Sequence, residues 1–253
     1  MLQLETAGLS DIGKKRDHQE DAFLVDDEHR LYVVADGMGG HLAGEVASAI
    51  VIETLQAAVN DSNSPPTTER DASLSPGGTM LAAWIQNANR RVFEQSQGQE
   101  QCRGMGSTIA ALYFTNNRIV IANVGDSPTY LVRARSIELI SAMHTMAADQ
   151  TTRDLYGEDI LLKQLNHMLT RAVGIGNDVQ PYIHELTCCA DDSYIICSDG
   201  LSNAIEPEEM LATVQQYNAG KACKEFITMA NARGEDDNIT VIVIKVCGEN
   251  SDN

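Results

Sequence analysis

The sequence predicts an α+β fold in which antiparallel sheets carry helix pairs on their outer faces. Three observations lead there. Strand-like and helix-like segments come in blocks: strands, two helices, strands, two helices, one strand. A wound parallel sheet would alternate them instead, whereas strand blocks separated by helix pairs suit antiparallel sheets. The last strand, Ile239 to Val246, is apolar on both faces and so must be covered on both sides. The third observation is size: 253 residues, 43% of them hydrophobic, can bury a substantial core.

Taken in order, Ala22 to Asp26 and Leu31 to Asp36 read as strands joined by the polar turn Asp27-Glu28-His29-Arg30. Ala43 to Asn60 is apolar at helical spacing through Val46, Ile50, Leu55, Ala58 and Val59, and Glu45 in its first turn complements the helix dipole. Asp61 to Gly78, rich in Ser, Pro, Thr and Asp, reads as a connection. Met80 to Gln95 is a second amphipathic helix, striped by Leu81, Trp84, Ile85, Ala88, Val92 and Phe93. Strands follow at Thr108 to Phe114, Arg118 to Asn123 and Thr129 to Arg133, the first two joined at Thr115-Asn116-Asn117. Met143 to Met168 is polar and irregular, with a helix expected in its second half. Tyr182 to Thr187 and Tyr194 to Ser198 are strands, and Glu208 to Gln216 and Lys221 to Arg233 are helices.

Charge narrows the partners. Thirty-six acidic residues against 18 basic give a net charge of −18, which repels nucleic acid and anionic lipid at long range. It repels phosphorylated substrates as well, so a phosphate-directed site here needs local cations. No apolar run is long enough to span a membrane. The opening MLQLETAGLSDIGKK lacks the basic-then-apolar layout of a secretory signal, so a cytoplasmic location is expected. The six cysteines form no CxxC pair, which argues against structural zinc, and reduced thiols are expected.

The chemistry concentrates at strand ends. In VVADGMGGH, Asp36 ends an apolar strand and is followed by three glycines within four positions. Asp-Gly is a favoured hairpin pair, but a hairpin needs a strand next; here a glycine loop runs into a helix instead. A carboxylate beside bare backbone suits a hard divalent cation, with Asp36 offering its oxygens and Gly37 its carbonyl. Three more Asp-centred turns follow strands, at Asp126 in VGDS, Asp199 in CSDG and Asp237 in EDDN. Alone, each reads as well as a turn or a solvated loop; together with Asp36 they suggest carboxylates converging on one metal site. RDHQED adds Arg16 as a phosphate fork, with Glu20 and Asp21 holding metal or its water. No Ser/His/Asp or Cys/His nucleophile signature and no GxxxxGK[ST] loop occurs.

RDHQED, VADGMGGHLAGEVAS, GMGST, ANVGDS, LTRAVG, CSDGL and DDNIT occur in that order over residues 5 to 246. Together they resemble the metal-dependent protein Ser/Thr phosphatases of type 2C, the PPM family, in compact bacterial form. The resemblance implies a four-layer αββα sandwich, two antiparallel sheets flanked by helix pairs, as a single catalytic domain over 1–253 with a flap at about 143–168. It implies two Mn²⁺ or Mg²⁺ ions at one end, with a weaker third. Carried over by position, Asp36 bridges the two ions, and Gly37 supplies a carbonyl to one of them. Asp199 and Asp237 hold the other. Glu20 and Asp21 contact the ion beside Gly37 or orient its waters, Asp126 shares the third with Asp199, and Arg16 grips the phosphate. A water bridging the ions then serves as nucleophile for a phosphomonoester.

Three positions depart from the family pattern: Gln19 where asparagine is usual, Pro128 after GDS where arginine is common, and Met143 before His144 where aspartate is frequent. The activity expected is removal of phosphate from phosphoserine and phosphothreonine in proteins, opposing a Ser/Thr kinase, by a monomer. The rival readings are a phosphoprotein-binding module with little turnover and a phosphatase of small esters.

Overall fold

The structure is a computed structural model that describes residues 3–40, 43–61, 73–116, 118–149, 165 and 167–248. Two antiparallel sheets face each other. The first contains β1 (Gln3–Asp11), β7 (Thr129–Arg133), β8 (Ser136–Leu139), β10 (Ser193–Cys197) and β11 (Ile239–Cys247), in the order β1-β11-β10-β7-β8. The second contains β2 (Asp21–Asp26), β3 (Leu31–Met38), β5 (Ile109–Phe114), β6 (Arg118–Val124) and β9 (Tyr182–Thr187), in the order β2-β3-β5-β6-β9. The two-residue β4 (Gly106–Ser107) pairs with the end of β3.

Alternation along the strands builds three buried layers. On β3, Leu31, Val33 and Ala35 face α1 (Ala43–Asn60) and α2 (Pro76–Gly98), while Tyr32 and Val34 face the opposite sheet. On β11, Ile239, Val241 and Val243 face α4 (Pro207–Gln216) and α5 (Ala219–Arg233), while Ile242, Ile244 and Val246 point between the sheets. Both faces of both strands are therefore covered, which is why neither carries a polar face. Tyr32, Phe114 and Tyr194 step across the inter-sheet layer edge to face, with ring centroids 5.7 Å apart at each contact. The expected four-layer αββα sandwich is the one observed.

The two longer strands absent from the sequence expectation, β1 and β8, are the two edges of one sheet. An edge strand buries less and so shows weaker alternation: Gln3 and Glu5 on β1 and Ser136, Glu138 and Leu139 on β8 are exposed. β1 is set by its nine-residue pairing with β11, from Gln3↔Cys247 to Asp11↔Ile239. The second helix starts at Pro76 rather than Met80, because Ser75 caps it by accepting the Gly78 N–H at 3.2 Å and Pro76 occupies the first turn. The expected connection thus ends before Pro76, and its residues 62–72 lie outside the described residues. So do residues 150–164 and 166 of the expected flap, and with them most of its expected helix.

All six cysteines are free, and Cys102, Cys197 and Cys223 are buried. Among the described residues no helix is long and apolar enough to cross a membrane. At one end of the two sheets, the loop after β1, the end of β3, the turn after β6, the end of β10 and the loop before β11 come together. That end carries the candidate site.

Candidate metal centre

A cavity of about 740 Å³ opens there, and its wall includes Arg16, Glu20, Asp36, Asp126, Asp199 and Asp237. These residues are up to 221 positions apart in the chain, and each reaches the cavity from a different loop or strand end, except Arg16 and Glu20, which share the β1–β2 loop. Gly37 and Thr108 also line it.

Asp36 is held by its own backbone. Its N–H donates to Thr108 Oγ1 at 3.0 Å, and its carbonyl accepts the Thr108 N–H at 2.8 Å and the Ser107 hydroxyl at 3.1 Å. Ser107 and Thr108 are the last two residues of GMGST, so that segment serves to fix Asp36. Beside it, a Cβ on Gly37 would lie 2.0 Å from the Gly44 carbonyl oxygen and 2.6 Å from that of Glu20. Only glycine lets β3 run this close to the start of α1.

Asp199 follows β10 and opens α3 (Asp199–Ser202). Its Oδ1 is buried without a hydrogen-bond partner, while Oδ2 accepts from Asn203 Nδ2 at 3.3 Å and lies 3.9 Å from His167 Nδ1. A Cβ on Gly200 would meet the Asn238 carbonyl at 2.2 Å, so glycine permits the close approach of the Asp199 and Asp237 loops. Asp237 Oδ2 accepts from Arg16 Nη2 at 2.7 Å.

Asp21 is the one predicted site residue that does not reach the cavity wall. It stands directly across from Asp36 in the β2–β3 register. It lies buried behind the wall and accepts the Ser198 hydroxyl at 2.8 Å; Ser198 Oγ in turn accepts the Thr240 N–H at 3.0 Å. Its position suits holding the strand end that carries Asp199.

Two further residues organise the site, and residue type alone did not mark them. Asn238, within DDNIT, is 3% exposed; its Oδ1 accepts the Glu20 N–H at 2.7 Å, and its Nδ2 donates to the carbonyls of Ile12 and His18 at 2.9 and 3.1 Å. One amide thus ties the loop bearing Arg16 and Glu20 to the loop bearing Asp237. Arg171, within LTRAVG, lines the cavity with His167. Of the departures, Gln19 uses its amide to bond Ser10 on β1, and Met143 lines a second cavity of about 370 Å³. Asp126 and Asp199 form part of the wall of both cavities. His41 lies outside the described residues.

The electrostatics point to cations. Burial, then the neighbouring carboxylates Asp21, Asp199, Asp237 and Asp126, raise the Asp36 pKa well above the usual range. Burial pushes Asp21 up to about 7 against the pull of the Thr240 and Ser198 donors. Asp126 is likewise pushed up to about 7, by burial and then by Asp199. Asp199 is raised by burial and by Asp237. Such a group of acids, one with an orphaned buried oxygen, suits hard divalent ions with all-oxygen ligands. Among the described residues no three His, Cys, Asp or Glu side chains close on a single point as a ready-made cage. A Mg²⁺-like ion needs none, since it binds through one or two carboxylates and keeps several waters. The donor set fits a pair of such ions distributed around the cavity.

The protein phosphatase 2C profile matches residues 8–235. The chain belongs to the protein phosphatase 2C family. Among its relatives, the serine/threonine phosphatase Stp of Listeria monocytogenes is 31% identical over 241 residues, 93% of each chain. The serine/threonine protein phosphatase PstP of Mycobacterium tuberculosis is 33% identical over 251 residues, 97% of this chain and 45% of that protein. A crystal structure of the M. tuberculosis enzyme superposes with a TM-score of 0.84 at 29% identity, covering 98% of this chain and 100% of that one. The PstP catalytic domain solved with two manganese ions gives the same TM-score, 0.84, at 31% identity, with the same coverage of 98% and 100%. The family and its fold are those that the motifs in the sequence implied.

Proposed function

We propose that this chain is a metal-dependent protein serine/threonine phosphatase, hydrolysing phosphoserine and phosphothreonine in proteins. The observation that carries the reading is the meeting of Asp36, Asp126, Asp199 and Asp237 with Arg16 around one cavity, in a chain of the protein phosphatase 2C family. When bound, a pair of Mn²⁺ or Mg²⁺ ions supplies a water nucleophile near neutral pH and offsets the phosphate charge.

The chain's own residues do the rest. Asp36, clamped by Ser107 and Thr108, would hold the two ions, with the Gly37 carbonyl as a further ligand of one of them. Asp199 and Asp237 would hold the other. Glu20 orients water at the cavity wall, and Asp21 acts from behind it through Ser198. Asp126 and Asp199, which line both cavities, would hold a weaker third ion. Arg16 keeps one N–H on Asp237 and offers the remaining donors of its planar fork to the substrate phosphate. No covalent intermediate on the protein is needed.

Phosphopeptide hydrolysis with Mn²⁺ present or chelated tests this directly: equal rates reject the metal mechanism. Asp36→Asn is expected to abolish most turnover while keeping the fold, and wild-type turnover in that variant removes Asp36 from the chemistry. We further propose that the chain acts as a monomeric single catalytic domain in the cytoplasm, opposing a Ser/Thr kinase, with residues 143–168 as its flap.

A further inference from the structure

Arg171 stands on the cavity wall with little of its hydrogen-bonding capacity used among the described residues. Among the described residues no carboxylate pairs with it, although the chain carries two acids for every base. Arg16, the other arginine on this wall, is bonded to Asp237. Of its five donors, Arg171 gives Nη1 to the Gln180 carbonyl at 3.2 Å. The same nitrogen lies 3.4 Å from His144 Nε2. His144 cannot serve as its acceptor, because the Gly125 N–H donates to Nδ1 at 3.2 Å and so assigns the ring proton to Nε2. The His144 ring is neutral, its pKa lowered to about 4 by burial and by Arg171. One terminal nitrogen of the guanidinium is thus tethered, and Nε and Nη2 have no hydrogen-bond partner among the described residues on a side chain that lines the cavity.

Arg171 is also where the catalytic cavity continues into a side groove of about 220 Å³. Thr170, Arg171, Ala172 and Ile175 belong to both walls, and Gly176, Asp178, Val179 and Gln180 complete the wall of the groove. Ile175 is 54% exposed, one of four large hydrophobic side chains so exposed among the described residues. A substrate whose phosphorylated residue sits in the cavity has a ready exit for its flanking chain here. The groove offers that chain a cation, Arg171, and an aliphatic side chain, Ile175, on the wall it shares with the cavity, and an anion, Asp178, on wall that belongs to the groove alone.

We propose that Arg171 reads an acidic side chain adjacent to the phosphorylated residue of the substrate, with Ile175 supporting the backbone between them. This rests on the phosphatase reading above and deepens it to a sequence preference. The sign of the charge along the groove sets the register. An acid next to the phosphoresidue meets Arg171, whereas an acid placed several residues away meets Asp178 and gains nothing.

The test compares three phosphothreonine peptides with Mn²⁺: Glu on both sides of the phosphothreonine, Ala on both sides, and Glu moved three positions out. The wild type is expected to favour the first over the second by about tenfold in kcat/KM, the scale of one charge-assisted hydrogen bond, and to show no preference for the third. In Arg171→Gln that ratio should fall to near one, and Arg171→Glu should invert it in favour of the Ala-flanked peptide. If Arg171→Gln lowers all peptides and 4-nitrophenyl phosphate by the same factor with the ratio intact, Arg171 grips the phosphate itself and the proposal is overturned. A wild-type ratio of one overturns it as well, while Mn²⁺-dependent turnover of the Ala-flanked peptide leaves the phosphatase reading standing. No turnover of any peptide by the wild type removes both.

Discussion

Strand β10 has an aspartate at each end, and the two are treated in opposite ways. Asp192, just before it, is 1% exposed and fully satisfied. Arg133 donates to both of its oxygens at 2.8 Å, the Cys189 N–H reaches Oδ2 at 2.9 Å, and the Tyr194 hydroxyl does so at 2.9 Å. Burial would raise its pKa, but these donors bring it below the usual range. Asp199, two residues past the other end, has a buried oxygen with no partner and a raised pKa, caused by burial and by Asp237. The same residue type near the same strand is thus a structural anchor at one end and a buried carboxylate with an unpartnered oxygen, the proposed ligand of a cation, at the other. The difference lies in the donors supplied by neighbouring elements, which are ample around Asp192 and scarce around Asp199.

The largest test of that contrast exchanges charge for amide at each end. Asp199→Asn should lower phosphopeptide turnover by more than about 100-fold, beyond the usual effect of disturbing a residue behind a metal ligand. It should leave the ion-free melting temperature equal or higher, since it removes one of several repelling acids. Asp192→Asn should do the reverse, losing about 2–3 kcal/mol of stability, a figure held down by the half-exposed Arg133, while the folded fraction keeps its turnover. If the two variants were equally destabilised, the contrast would be wrong.

Ion binding sharpens the comparison further. Mn²⁺ at about 100 times its dissociation constant should add about 2.7 kcal/mol, or roughly 5–10 °C in melting temperature. Asp192→Asn should retain that shift and Asp199→Asn should lose most of it. The pH dependence has a defined sign. Asp21 and Asp126 rise from 3.8 to about 7, so the folded chain binds their protons more tightly than the unfolded chain. The ion-free protein therefore gains stability from them below pH 3.8 and loses it as pH rises to about 7. Bound ions should flatten this slope, and an ion-free melting temperature that climbed with pH over the same interval would contradict the proposed crowding of charge.

A smaller effect is expected at Asn238. Asn238→Ala strands the Glu20 N–H and two carbonyls, and should lose about 1–3 kcal/mol together with some ion affinity. Ser198→Ala, which removes one donor from Asp21 and the acceptor of the Thr240 N–H, should lose less, about 1–2 kcal/mol. A Ser198→Ala loss equal to that of Asn238→Ala would mean that Asp21 bears more of the site than its place behind the wall implies.

Most strands, the edges β2 and β9 among them, and the two helix pairs were legible in the sequence because burial imposes a period of two or 3.6 on residue choice. The edges β1 and β8 were not: Gln3 and Glu5 on β1 and Ser136, Glu138 and Leu139 on β8 face solvent, where almost any polar residue serves. Asp36 was legible from its glycines, which exist only where backbone must pass within reach of backbone, here Gly37 against Gly44. Asn238 and Arg171 sit inside quoted motifs, yet residue type gave neither a role, since an amide or a guanidinium acquires one only from the groups placed opposite it.

Most of the strands, the helix pairs and the strand-end acids follow from the sequence alone, since local periodicity and turn chemistry are written in neighbouring residues. Only the tertiary structure decided which acids face the cavity, that Asp21 supports from behind while Asp36 fronts it, and that Asp192 is neutralised while Asp199 is not. Those outcomes depend on distances between residues as much as 221 positions apart, and charge acts through space rather than along the chain.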